Sequence, residues 1–259
     1  MTNNIEVCGK TNIGLKRKRN EDSYLIVDKL NKIDIHSLGM LFVVADGMGG
    51  HPAGDMASKL ACEGLKRYYY HISFIRKKLF SMSKYLLLKH LATAIEATQK
   101  MICTFESQHK ECAGFGTTLS TLILAKTTAL IGHIGDSRIY RLRDNSLGQL
   151  TTDDTLVQDM VNMGELKSEE AAEIPYRHVL TQALGGGYEK VHIYLEEVKA
   201  GDIFLLCTDG LHDLVSKDEI KEILSADITV VDICNQLLNA ALRRGGKDNI
   251  TAIVVRLKN

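Results

Sequence analysis

The feature that most constrains this chain is a set of short apolar, β-branched runs recurring along nearly its whole length. They read "SYLIV" at 23–27, "MLFVVA" at 40–45, "TLSTLILA" at 118–125, "ALIGHIG" at 129–135, "SRIYRL" at 137–142, "VHIYLEEV" at 191–198, "DIFLLCT" at 202–208 and "ITAIVVRL" at 250–257. Runs of this length and composition predict β-strands. Between them lie segments with helical spacing. The clearest, 84–107, places Leu87, Leu91, Ile95, Thr98, Ile102 and Phe105 on one stripe, and a second long helix is expected over about 55–70. Further helices fit 154–163, 168–173, 217–224 and 229–243, the last with Val230, Ile233, Leu237 and Leu238 facing inward. Strands that follow one another as hairpins, with helices grouped between them, point to antiparallel sheets in an α+β layering rather than to alternating βαβ units.

The 259 residues are 45% hydrophobic, ample for a sizeable core, and only Pro52 and Pro175 interrupt them, so one domain over 1–259 is expected. Lys plus Arg and Asp plus Glu are both 32, leaving no global positive field to gather nucleic acid or anionic lipid. The start, "MTNNIEVCGK", has no signal-peptide core, and the longest uncharged stretch, Cys112 to Ala125, is shorter than the roughly 18 residues of a membrane span. The expected place of work is the cytoplasm of the cell that makes the chain, or another cell's cytosol if it is released there. Cys8, Cys62, Cys103, Cys112, Cys207 and Cys234 form no C-x-x-C pair and read as reduced structural thiols.

Four aspartates share one context, at or just past the end of an apolar strand and followed by a small or turn-forming residue. They are Asp46 in "VVADGMGG", Asp136 in "IGHIGDSR", Asp209 in "LLCTDGLHD" and Asp248 in "GGKDNITAIVV". Any one of them is explained by turn formation alone. If strand ends bring them together, however, two carboxylates about 4 Å apart repel by roughly 4 kcal/mol at an effective dielectric of 20, and the cluster needs cations. Oxygen donors suit magnesium, manganese or calcium, whereas no local spacing here supplies the His and Cys ligands of zinc. The glycines after Asp46, among them Gly47, let the backbone turn tightly so that a carbonyl can coordinate beside the carboxylate. The basic run "KRKRNEDS" at 16–23 is the other unusual piece, either a solvated turn or a phosphate grip, for which an arginine fork is the best donor.

Taken in order, these pieces resemble the metal-dependent protein phosphatase family, type 2C, and especially its bacterial serine/threonine phosphatases. The matching strings are "RKRNEDS" (17–23), "VVADGMGGHPAG" (43–54), "GTTL" (116–119), "IGDSRIYRL" (134–142), "LTTDDTLVQDMVNMGEL" (150–166), "LTQALGG" (180–186), "LLCTDGLHDLV" (205–215) and "DNITAIVV" (248–255). The resemblance implies two stacked antiparallel sheets flanked on both sides by helices, with a metal site at one end of the sheets. It implies two divalent cations, Mn2+ or Mg2+, with Asp46 bridging them, the Gly47 carbonyl on one, Asp209 and Asp248 completing the other, and a third, weaker cation near Asp136 and Asp209. Glu21 and Asp22 would organise metal-bound waters, and Arg17 would grip the substrate phosphate.

The activity so implied is hydrolysis of phosphoserine and phosphothreonine in proteins by a metal-bridged hydroxide, without a phosphoenzyme intermediate. The implied partners are phosphoproteins and a cognate serine/threonine kinase, with no nucleic acid and no membrane, for a chain acting as a monomer. His51 is the candidate proton donor, with metal-bound water as its alternative. The segment 151–185 corresponds to a flap beside the site. Within it "DDT" stands at 153–155 where "DHS" is common, and His178 and Gln182 replace frequent asparagine and arginine. His212 replaces a small hydroxyl residue, and the segment 68–84 looks like a lengthened link between the long helices, packed or available for docking. Two other functions remain open, a pseudophosphatase that binds phosphoproteins and a metal-dependent phosphodiesterase. A lost metal ligand would favour the first, and a basic stripe the second; neither is seen.

Overall fold

The computed structural model describes residues 5–28, 38–48, 52–70, 83–171, 174–188 and 190–258. Eleven strands among these residues form two sheets, and every pairing is antiparallel. Sheet one has the order β1(Ile5–Asn12), β11(Ile250–Leu257), β10(Ile203–Cys207), β7(Arg138–Arg143), β8(Ser146–Gln149). Sheet two has the order β2(Asp22–Val27), β3(Met40–Met48), β5(Leu119–Ala125), β6(Thr128–Ile134), β9(His192–Glu197), with β4(Gly116–Thr117) beside β3. The long helices α1(Pro52–Tyr70) and α2(Lys84–Gln108) cover the outer face of sheet two. Helices α5(Asp209–His212), α6(Lys217–Ser225) and α7(Val230–Arg243) cover sheet one, while α3(Leu156–Asn162) and α4(Ser168–Ala171) lie between β8 and β9 in the chain.

This layering explains why the central strands read as unbroken apolar runs. Side chains alternate along a strand, so a sheet covered on both faces is apolar at every position. In β3, Met40, Phe42 and Val44 point between the sheets, while Leu41, Val43 and Ala45 pack under the helices. β10 repeats the pattern with Phe204 and Leu206 inward and Ile203, Leu205 and Cys207 against α7. Leu87, Leu91, Ile95, Thr98 and Ile102 of the predicted stripe are buried, with Phe105 packed partly against the same core. Hydroxyl caps start the later helices as local sequence requires: the Thr155, Ser216 and Thr229 side chains accept from the amides of Gln158, Glu219 and Asp232.

Besides the two-residue β4 and a 3₁₀ turn at Lys110–Cys112, three elements were not read from the sequence. β1 is only half-buried and carries Glu6, Gly9 and Lys10, so its side chains hide a strand that is held by backbone pairing to β11. β8 follows a two-residue turn in which Asp144 and Asn145 have φ of 49° and 56°, the left-handed pair of a tight hairpin. The third, α5, is a single turn. Much of the 68–84 link lies outside the described residues, so its proposed docking role is not addressed by the structure. Among the described residues no helix is long and apolar enough to cross a membrane.

Candidate metal centre

Antiparallel pairing decides where the acids meet. In sheet two the start of β2 faces the end of β3, with Asp22 opposite Asp46. In sheet one the end of β10 lies beside the start of β11: Cys207 pairs with Ala252, and the Thr208 amide donates to the Thr251 carbonyl at 3.2 Å. Asp209 follows that pair on one strand and Asp248 precedes it on the other. The link from β6 to β7 crosses from sheet two to sheet one and brings Asp136 to the same end, because β7 starts beside Cys207. Asp248 thus stands ahead of its strand, not after it as the sequence reading had it. It joins the others because antiparallel neighbours run in opposite directions.

The carboxylates act on one another. Burial pushes the Asp46 carboxyl well above the usual carboxylate range, and Asp22, Asp209, Asp136 and Asp248 push it the same way. Burial and then Asp209 hold Asp136 high. Asp209 is raised by burial against the opposing pull of His212. Asp22, buried and accepting from the hydroxyls of Thr251 at 2.6 Å and Thr208 at 2.8 Å, is still raised by burial to about 7. Two oxygens in this cluster, Asp22 Oδ1 and Asp209 Oδ1, are buried with no hydrogen-bond partner among the described residues. Orphaned buried carboxylate oxygens in a group of mutually repelling acids are what hard divalent cations would satisfy, so the donor set fits such ions.

A second group fixes the loop before β2. Asn249, 3% exposed, accepts from the Glu21 amide at 2.8 Å and donates to the carbonyls of Ile13 and Arg19, each at 2.9 Å. Its own amide donates to Asp248 Oδ1 at 2.8 Å. The same side chain therefore positions the segment carrying Arg17 and Glu21 and one acid of the cluster. Arg17 reaches across to Asp248 Oδ2 at 2.5 Å, and that bond raises its guanidinium further. Burial raises Glu21, with Arg17 opposing. Glycine is required where backbones touch: a Cβ on Gly47 would lie 2.0 Å from the Gly54 carbonyl oxygen, and one on Gly210 would lie 1.9 Å from that of Asn249.

Asp46, Asp136, Asp209, Asp248, Asp22, Glu21 and Arg17 thus lie at one end of the two sheets. His51 falls outside the described residues. Thr208, Thr251, Thr118 and Asn249 escaped the sequence reading, although hydroxyl and amide groups in otherwise apolar strand termini are a signal that something polar awaits them. Thr118, for example, accepts from the Asp46 amide at 2.9 Å. His178, singled out only as a departure, brings one ring nitrogen within 4.8 Å of a carboxylate oxygen on each of Asp136 and Asp209, which lie equally close to each other.

A model of the family Protein phosphatase 2C matches residues 16–249. The serine/threonine protein phosphatase PstP of Mycobacterium tuberculosis is 36% identical over 250 residues, 96% of this chain and 44% of that relative. The chain therefore spans less than half the length of that protein. The protein phosphatase PhpP of Streptococcus pneumoniae is 31% identical over 254 residues, 98% of each chain. A solved structure of the catalytic domain of PstP in complex with two manganese ions shares the fold at a TM-score of 0.81 and 34% identity, covering 98% of this chain and 99% of that one. With the sandwich of two helix-flanked sheets reproduced and the family match running from the arginine loop to the last acid, this chain belongs to the protein phosphatase 2C family.

Proposed function

We propose that this chain is a protein serine/threonine phosphatase that hydrolyses phosphoserine and phosphothreonine with the help of two divalent cations, Mn2+ or Mg2+. The observation that carries it is the convergence of Asp46, Asp209 and Asp248 with two orphaned buried carboxylate oxygens at one end of the sheets. Asp46, the Gly47 carbonyl, Asp209 and Asp248 would hold the two cations, and Asp136 would face a third. When bound, such cations neutralise phosphoryl oxygens and make water acidic enough to attack phosphorus near neutral pH.

The protein's own residues do the rest. Arg17, on the rim, half exposed and paired with Asp248, would receive phosphoryl oxygens through its planar fork. Glu21 and Asp22 would organise water beside the cluster, Asp22 being held by the hydroxyls of Thr208 and Thr251. No covalent intermediate on sulfur is supported: Cys207 is fully buried and its thiol is pushed up to about 12 by burial. We place the whole of 1–259 in one catalytic domain, with 151–185 as a flap anchored through Leu184 to Thr117 beside Asp46. Substrates on this reading are phosphoproteins, opposing a serine/threonine kinase in the cytoplasm.

The test is turnover of p-nitrophenyl phosphate and of a phosphothreonine peptide with manganese, beside an EDTA blank and a nucleic-acid substrate. Metal-dependent release of phosphate from the peptide is expected. Binding of the phosphopeptide without turnover, or cleavage of the nucleic acid instead, overturns the assignment.

A further inference from the structure

We propose that two cationic segments fastened together beside the metal centre form one docking surface for acidic side chains flanking the phosphoserine or phosphothreonine, so that the chain prefers acidic phosphoprotein segments. The inference rests on the phosphatase reading above and adds a substrate class to it. Lys16, Arg17, Lys18 and Arg19 lie in the loop before β2, and Arg243, Arg244 and Lys247 lie where α7 ends and turns toward β11; all of them are exposed. Backbone bonds hold the two segments side by side. The Leu15 amide donates to the Gly246 carbonyl at 2.7 Å, and the Asn249 side chain donates to the Ile13 and Arg19 carbonyls, each at 2.9 Å. No Asp or Glu stands anywhere in 13–20 or 240–247. The sequence shows no basic stripe because the two halves of this one come from opposite ends of the chain.

Most of this charge has no partner within the protein. Arg17 is paired with Asp248, and Arg244 with Glu219 at 2.6 Å. Among the described residues, no carboxylate lies within 4 Å of the charged nitrogens of Lys16, Lys18, Arg19, Arg243 or Lys247. The chain as a whole carries 32 basic and 32 acidic residues, so this is a local concentration of charge on an otherwise balanced protein. Exposed ion pairs are individually weak, and a preference built on them needs several at once. A peptide spans at most about 3.5 Å per residue, so acids up to three places from the phosphoresidue stay within about 10 Å of it. That is also about the screening length at 0.1 M salt, so cations grouped around Arg17 attract such acids together. Single-stranded nucleic acid is ordinarily held by aromatic rings interleaved with the cations, and neither 13–20 nor 240–247 contains one.

The experiment compares two phosphothreonine peptides of equal length, one with Asp and Glu at the three positions on either side of the phosphoresidue and one with Asn and Gln there. Turnover is measured with excess manganese at about 0.1 M and about 1 M sodium chloride, with p-nitrophenyl phosphate as a substrate too small to reach the surface. The wild type is expected to favour the acidic peptide by about tenfold in kcat/KM at low salt and by about twofold or less at high salt. The variant combining Lys16→Gln, Lys18→Gln, Arg243→Gln and Lys247→Gln should lose the preference at low salt, with p-nitrophenyl phosphate turnover and melting temperature unchanged. Equal kcat/KM for the two peptides, or a preference that the variant retains, overturns the inference and leaves the phosphatase standing. The salt series on the wild type needs no substitution, and a preference unmoved by salt overturns the inference as well. So does a single-stranded oligonucleotide that competes at lower concentration than an unphosphorylated acidic peptide. A wild type that turns over neither peptide nor p-nitrophenyl phosphate overturns the phosphatase reading itself.

Discussion

Replacing Asn249 by alanine separates what holds the arginine loop from what holds the fold. The side chain makes three bonds, to the Glu21 amide and to the Ile13 and Arg19 carbonyls, and it is 3% exposed. At about 1 kcal/mol net per bond the loss is about 3 kcal/mol. Left in place, the three abandoned backbone groups would cost more, because each would be buried without a partner. The loop has a cheaper course. Leu15, Lys16, Arg17, Lys18 and Arg19 are exposed, so it can lift and hydrate those groups, which limits the global loss to about 3 kcal/mol. Lifting moves Arg17 and Glu21 away from the acids. Urea denaturation should therefore show a loss of about 3 kcal/mol with an unchanged slope, and amide exchange should accelerate at Glu21 and at Gly47, whose N–H donates to the Glu21 carbonyl at 3.1 Å. Phosphopeptide kcat/KM with manganese should fall by about tenfold or more, since one charge-assisted phosphate contact is worth about 1.5–3 kcal/mol. A variant that loses the stability but keeps wild-type kcat/KM and exchange at Gly47 would refute the positioning role.

Three further outcomes are expected. Asp209→Asn and Asp248→Asn should each abolish most manganese-dependent hydrolysis while far-UV circular dichroism stays native; near-normal rates in either defeat the ligand assignment. Arg17→Ala should mainly raise the apparent KM for a phosphopeptide, and an unchanged KM removes the phosphate role. The metal-free chain should lose stability as pH rises. The Asp22 carboxyl is lifted from 3.8 to about 7 by burial, so its contribution is intact below about pH 4 and is lost as pH climbs through about 7. Asp22 alone supplies up to about 4 kcal/mol of that slope, and manganese at neutral pH should flatten it in urea titrations. A flat pH profile without metal would contradict the picture of a repelling, buried cluster.

Much of this was legible in the sequence because the strands are buried on both faces. A run such as "MLFVVA" admits few structures, and its burial above and below confirms why no polar alternation interrupts it. β1 was illegible for the opposite reason: Glu6, Gly9 and Lys10 reflect an edge position, while the ladder to β11 is made by backbone that every sequence shares. The acids could be listed from their strand-end contexts, but their mutual placement depends on which strands are neighbours, and no local pattern contains that. Asn249 illustrates the gap. Beside Asp248 it reads as a turn former, and its real partners are Glu21, Ile13 and Arg19, more than two hundred positions away. His178 was visible only as an odd residue in a flap until the β6–β7 link and the end of β10 were placed beside it.

The position of β11 carries a consequence for timing. Among the described strands it comes last in chain order, yet it is inserted between β1, the earliest of them, and β10, with Asp248 at its leading end. A ribosome that has released everything up to residue 245 has delivered Asp22, Asp46, Asp136 and Asp209 but neither the strand that joins β1 to β10 nor the asparagine that ties down the arginine loop. Nascent or truncated chains lacking this strand should therefore be inert toward phosphoproteins, with competence arriving in a single late step.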